Sequence, residues 1–324
     1  MSSIRSAVLG VALALAVSAP ALAQGAFPSR PIRLVVPYAA GGGTDAIARL
    51  VAQGVGERLG QSMVVENNGA AGGNVATQQA AGAPPDGYTV LMANQGPMVV
   101  NPHMFKSVKI DPLTAFDPVT LIASASLVVV VPKASPVSTF EQFMEVATKN
   151  PGKLSYGSAG NGSASHLAAL LLGQVAKINI VHVPYRGAGP ALNDLVGGQT
   201  DFMITTLPSV VGLVEGGQLK ALAVTGKARV SSLPNVPTIA EKGFPAYEAT
   251  AWYGFAVPKG TPKDIVAKLR EATVGAINGP LLKQRLAAEG ATPVGNTAEA
   301  FGDMMRAESA RWAGVIRESG FKLD

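Results

Sequence analysis

Two short stretches concentrate the residue types that can hold a charged ligand. One is YAAGGGTD, from Tyr38 through Ala40, Gly41, Gly42 and Gly43 to Thr44 and Asp45. The other is GSAGNGS, from Gly157 through Ser158, Ala159, Gly160, Asn161 and Gly162 to Ser163. Each follows an apolar run and precedes a helical pattern. A helix start leaves four N–H groups without intrahelical partners and carries partial positive charge. Glycines just before it let an anion approach those donors without meeting a Cβ. Thr44, Asp45, Ser163 and Ser165 can cap the two helices, with hydroxyls left to donate to a ligand. The chemistry on offer is anion binding without an arginine. Two such sites facing each other across a cleft would grip both ends of one small acid. Glycines that merely tighten strand-to-helix turns are the competing reading; the recurrence of the pattern favours binding.

Other chemistries are poorly supplied. GSAGNGS lacks the lysine of a phosphate-binding GxxxxGK[ST] loop, and neither stretch contains GxGxxG. The three histidines, His103, His166 and His182, lack metal-ligand spacing, HExxH is absent and there is no cysteine, so neither metal nor cofactor is expected. No GxSxG elbow occurs, which makes Ser158 and Ser163 poor nucleophiles. Paired carboxylates for glycoside hydrolysis cannot be picked out by spacing. A binding role is expected, with an enzyme built from distant residues as the alternative. His166, in the first turn of the second helix, can touch a ligand, although packing or capping is the expected role. In DFMITTLPS (201–209), Thr205, Thr206 and Ser209 are either cleft residues or ordinary turn residues. Trp252 and Tyr253 are expected to pack in the core, and Arg186 to be solvated.

The elements that must position these loops alternate between strand-like and helix-like patterns, an α/β arrangement with mainly parallel sheets. A strand over 32–36 precedes the first loop. The helix after it places Ile47, Leu50, Val51, Val55 and Leu59 on one face. Strands follow at 63–66 and 88–93, the latter ending in Asn94-Gln95-Gly96, with a glycine-rich turn at 69–73 and a helix near 74–81 between them. The second copy has a strand over 153–156 and a helix placing Leu167, Leu170, Leu171 and Val175 on one face. LVVVVP (127–132) and YGFAVP (253–258) are each followed by a lysine, a small-residue turn and a helix. We read them as two crossings between domains, the geometry of a hinge. Domain 1 then comprises 24–126 plus 254–324, and domain 2 comprises 127–253, each of ordinary domain size. A single large sheet with two similar strands is the alternative.

The chain has 26 Lys plus Arg against 21 Asp plus Glu, with no basic cluster, which excludes nucleic acid as an expected partner. The mild positive excess suits collection of anions. With 48% hydrophobic and 15% charged residues the chain is not a disordered one. The first 23 residues read as a secretory signal: Arg5, an apolar run over 8–17, then Ala21-Leu22-Ala23. The run is too short to span a bilayer, so cleavage after Ala23 and export of a chain starting at Gln24 are expected.

In order along the chain, PSRPIRLVVPYAAGGGTDAIAR, PPDGYTVLMAN, YGSAGNGSASHLAA, HVPYRGAGPAL and LKALAVT resemble the Bug-type receptors. These are periplasmic solute-binding proteins of tripartite tricarboxylate transporters, and the likeness runs from about Phe27 to the C-terminus. The resemblance implies an α/β, two-domain periplasmic binding protein of type II-like fold, with two hinge crossings and a ligand cleft between domains. It places Tyr38, Ala40, Gly41, Gly42, Gly43, Thr44 and Asp45 on one side of the ligand. Ser158, Ala159, Gly160, Asn161, Gly162, Ser163 and His166 lie on the other, and Asn94 and Gln95 form part of the wall. Many relatives carry an aspartate where this chain has Thr205, so an amino-acid ligand is disfavoured against an unsubstituted or aromatic acid. The resemblance implies a monomer that binds a small carboxylate, di- or tricarboxylate or aromatic, and hands it to tripartite-type membrane subunits. A ligand-sensing receptor that docks on a sensor protein is a further alternative.

Overall fold

The computed structural model describes residues 27–319. The expected signal peptide and its cleavage after Ala23 lie outside the described residues. The first part of the chain runs β1 (Ile32–Val36), α1 (Gly43–Leu59), β2 (Met63–Asn67), α2 (Asn74–Ala81) and β3 (Thr89–Ala93). Two one-turn helices, α3 (Asn101–Met104) and α4 (Pro112–Ala115), lead into the long β4 (Phe116–Pro132). Next come α5 (Phe140–Lys149), β5 (Ser155–Ser158), α6 (Ala164–Ala176), β6 (Val181–Pro184), α7 (Ala188–Val196), β7 (Phe202–Thr206), α8 (Leu207–Glu215) and β8 (Leu219–Val224). The chain returns through β9 (Thr250–Pro258) and ends with α9 (Lys263–Asn278), α10 (Pro280–Ala288), β10 (Ala291–Pro293) and α11 (Ala298–Ser319).

The strands lie in the order β2-β1-β3-β9-β4-β7-β5-β6, with β8 and β10 also pairing with β4. β1, β2 and β3 are mutually parallel, as are β5, β6 and β7. The long strands depart from the mainly parallel expectation. β9 is antiparallel to both β3 and β4, and β4 is antiparallel to β7 and β8. A strand that leaves one parallel set to enter another, and a second that returns, must run against each other. β4 pairs with β9 up to Ser126, which faces Thr250, and from Leu127 onward with β7 and β8. Thr225 ties the two crossings together. Its Oγ1 accepts from the Leu127 N–H at 2.8 Å and donates toward the carbonyls of Leu127 and Ala249, at 3.1 and 2.6 Å.

Apolar side chains pack on both faces of this sheet. On one face of β1, Ile32, Leu34 and Val36 meet Ile47, Val51 and Val55 of α1. The α6 pattern was misread from sequence. Val175 is 37% exposed and Leu170 half-buried, whereas Ala168, Ala169 and Leu172 are buried against the sheet. Leu167 points away from that face and joins a cluster with Met98 of the first half and Trp252 of β9. A helix apolar nearly all round does not announce its inner face.

Candidate functional site

A narrow cavity lies where the C-terminal ends of β1, β3, β5 and β7 converge, the usual place for a site in parallel sheets. Helix starts surround it. α1 brings Gly42 to Asp45, a five-residue π-helical turn after β3 brings Gln95 and Gly96, and α6 brings Ser163 to Ser165. α7 brings Ala188, and α8 brings Thr206 and Ser209. Ala251, Trp252 and Tyr253 of β9 form the wall between.

Helix α1 begins after Gly42, which acts as N-cap without a side-chain cap. Thr44 and Asp45, expected as caps, instead sit inside the first turn. The Gly43 N–H donates to Ser209 Oγ at 2.7 Å, and Ser209 Oγ is 2.8 Å from Thr206 Oγ1. Among the described residues no protein group accepts from the N–H of Gly42, Thr44 or Asp45. The Asp45 carboxylate turns back, accepting from the Gly41 N–H at 3.1 Å and from Arg49 Nε at 3.0 Å. Burial alone would raise its pKa, but Arg49, the Gly41 amide and Asn67 outweigh that and hold it below the usual carboxylate range. Among the described residues Asp45 is the one charged residue lining the cavity, and Arg49 neutralises it. The positive field of the helix starts is therefore left for a ligand.

The second loop is folded on itself. Ala159 N–H donates to Ser165 Oγ (2.8 Å), Gly160 N–H to Ser158 Oγ (3.1 Å) and Gly162 N–H to His166 Nδ1 (3.1 Å). Ser163 caps α6 as expected, accepting from the His166 N–H at 3.3 Å. The donors that this side presents to the cavity are the N–H groups of Ala164 and Ser165, which no protein group takes among the described residues. Behind the loop, Tyr156, His182 and His166 form a stack with centroid spacings of 4.9 and 4.2 Å. Burial, then the neighbouring His182, lowers the His166 pKa to about 3; burial lowers that of His182 to about 4. Both rings are neutral at pH 7. Ser158 Oγ lies 2.6 Å from His182 Nε2, a nucleophile–base distance, but Ser158 is fully buried and absent from the cavity lining. The pair supports the loop from behind.

Of the residues expected around a ligand, Tyr38, Gly42, Gly43, Thr44, Asp45, Asn94, Gln95, Ala159, Ser163 and Thr205 line the cavity. Ala40 and Gly41 lie on the exposed outer side of the first loop. Ser158, Gly162 and His166 are buried behind the second, while Gly160 and Asn161 line a separate opening with Gly69, Gly72 and Arg186. The sequence reading overlooked Ala39, Gly96, Ala164 and Ala188 as lining residues; Ser165, expected as a cap whose hydroxyl could reach a ligand, lines the cavity while its hydroxyl accepts from the Ala159 N–H. The same reading left Thr206 and Ser209 open, and both line the cavity; Trp252 and Tyr253 pack in the buried apolar clusters as expected and also form part of the cavity wall. The polar turn TTLPS was the available signal for Thr206 and Ser209. No local signal marks Ala188.

The phenols are donors. Burial, then the neighbouring Tyr253, pushes the Tyr38 pKa well above its usual value, and its hydroxyl donates to Asn94 Oδ1 at 3.2 Å. The amide nitrogen of Asn94 is buried without a partner, as is the Tyr253 hydroxyl. Burial raises the Tyr253 pKa to about 12, with the nearby Thr206 hydroxyl pulling the other way. Gln95 is pinned through Nε2 to the Thr250 carbonyl at 2.8 Å, and Trp252 Nε1 to Glu308 at 2.8 Å. Among the described residues no group of three or more His, Asp or Glu side chains could hold a metal. The arrangement offers N–H and O–H donors from both halves and no guanidinium or ammonium, which suits a small anion.

The chain matches the family model described as tripartite tricarboxylate transporter family receptor over residues 47–321. It is 40% identical to a protein encoded in the tcbD-tcbE intergenic region of Pseudomonas sp. strain P51, over 97% of this chain and 94% of that one. It is 34% identical to BugT of Bordetella pertussis, over 98% of both chains. Among solved structures it is similar to the periplasmic binding protein BugD, at 36% identity and TM-score 0.87, covering 91% of this chain and 99% of that one. An R. palustris protein solved with adipate matches at 35% identity and TM-score 0.88, covering 91% and 98%. MatC from Rhodopseudomonas palustris, with bound malate, matches at 33% and 0.84, covering 90% and 100%.

Proposed function

This chain belongs to the family of tripartite tricarboxylate transporter receptors, and we propose that it captures a small carboxylate by closing two domains around it. The observation that carries this reading is the cavity in which helix starts from both halves aim unpartnered N–H groups inward with no lysine or arginine in the lining. One carboxylate is held at the start of α1, by the amides of Gly42, Thr44 and Asp45. The far end of the ligand meets Ala164, Ser165 and the amide of Asn94. Relatives solved with adipate and with malate support a short dicarboxylate as the ligand class. Thr205 in the wall offers no carboxylate to an ammonium group, so amino acids are poor ligands. The division between domains falls at 127 and 253; the change of partner strands along β4 at Leu127 supports the first of these boundaries. The receptor is exported with cleavage after Ala23, acts as a monomer, performs no reaction on its ligand and hands it to membrane subunits of a tripartite transporter.

Titration calorimetry on residues 24–324 tests this. Adipate, malate and their monomethyl esters and amides would be compared. Saturable binding of a diacid, weaker binding of its blocked derivatives and recovery of unchanged acid are expected. At a hundred times its dissociation constant, a true ligand also adds about 2.7 kcal/mol of stability. Equal binding of acid and ester, or conversion of the acid, would overturn the reading.

A further inference from the structure

Beside the cavity the two halves meet backbone to backbone. The Ala39 N–H donates to the Arg186 carbonyl at 3.0 Å. A Cβ built on Gly187 would lie 2.8 Å from Ala39 N and 3.0 Å from Ala39 Cβ. One built on Gly189 would lie 2.5 Å from the Ala40 carbonyl oxygen and 3.3 Å from the Gly41 carbonyl carbon. At both positions the three nearest atoms belong to residues 39–41, on the opposite half. Local conformation demands a glycine at neither. Gly187 is extended, with φ 164° and ψ 170°. Gly189 sits in the first turn of α7 outside the left-handed region, where alanine is the better helix former. Neither lines the cavity, although Ala188 between them does.

We propose that residues 186–189 and 39–41 form a closure seam, in which Gly187 and Gly189 are required by the closed arrangement and by nothing in their own half. A methyl at either raises the energy of the closed state and leaves the open one untouched. Ligand affinity is thereby set in part by residues that never touch the ligand, since a binder is penalised by the fraction of competent state. This rests on the receptor reading above.

The test uses the mature chain with spin labels at Val64→Cys and Val181→Cys. These positions are 48% and 46% exposed, on β2 and β6 at opposite ends of the sheet, and the chain has no cysteine of its own. Label-to-label distances are measured without ligand and with malate or adipate. Gly189→Ala and Gly187→Ala are expected to deplete the closed distance and weaken acid binding by at least about tenfold. Their unliganded melting temperatures should match the parent. Gly212→Ala, in α8 with no atom within 4 Å of the added Cβ, should behave as the parent. An unchanged distance distribution in both seam variants would overturn the proposal. So would a parent chain that never shows the closed distance, or a fall in unliganded melting temperature for both variants. If neither acid binds the parent, the receptor reading is what fails, and the ligand-free distances still decide the seam.

Discussion

The two glycine loops look alike in sequence and do different work. The first, 38–45, ends in a helix start whose Gly42, Thr44 and Asp45 amides face the cavity without protein partners. The second, 157–163, uses its own amides internally, on Ser158, Ser165 and His166, and lends the cavity only the next two N–H groups. An added Cβ at Gly43 would fall 2.4 Å from Thr206 Oγ1 and 2.8 Å from Ser209 Oγ, so glycine there serves the approach of the two halves at the cavity itself. At Gly162, with φ +76° and its would-be Cβ 2.1 Å from Asn101 Oδ1, it serves the fold and the fit between halves. A shared motif guarantees a shared local turn, and the surroundings decide which donors are left over.

The largest effect that would separate the loops is one of pH. His166 and His182 support the second loop as neutral rings with lowered pKa values, so the unfolded chain takes up protons near pH 6.5 before the folded one does. Their contribution is complete above about pH 6.5 and is lost as pH falls toward 4, at about 1.4 kcal/mol per pH unit for each ring. Urea unfolding at pH 7 and pH 5 should show this loss, and His166→Asn and His182→Asn should each flatten it. A pH-independent midpoint in the parent would remove the histidines from this role.

Next in size is Gly43→Val, which should weaken acid binding about a hundredfold, roughly 2.7 kcal/mol, with the unliganded melting temperature preserved. Gly162→Ala should give the opposite pattern. Placing a Cβ in the left-handed region costs about 1–2 kcal/mol of fold stability before its clash with Asn101 is counted. If thermal melts and titrations of these two variants showed the same pattern, the distinction between the loops would collapse. Ser209→Ala removes the acceptor that holds the Gly43 N–H and should cost about 1 kcal/mol in binding, read by calorimetry. The smallest effect is expected of Asp45→Asn. Its lowered carboxylate pKa contributes stability that is present above about pH 4 and lost as pH falls further, so the variant should lose under about 1 kcal/mol at pH 7 and progressively less below pH 4.

What the amino-acid sequence settled by itself is local. Apolar runs followed by glycines and a capping serine placed β1, α1, β5 and α6, because strand patterning, N-capping and glycine's freedom act over a few residues. The order of motifs identified the family, and the Pro-Lys repeats marked the long strands that pass between halves. Tertiary structure decided the rest. The buried face of α6 was set by the sheet it packs on, since its own pattern was apolar nearly all round. The antiparallel course of β4 and β9 followed from joining two parallel sets. The free donors at the cavity depended on Ser209, 166 residues from Gly43, and on a histidine stack formed by two separate elements. A hydrogen bond consumes a donor wherever its acceptor lies in the chain, so which amides remain for a ligand is known only once the fold has brought those acceptors into place.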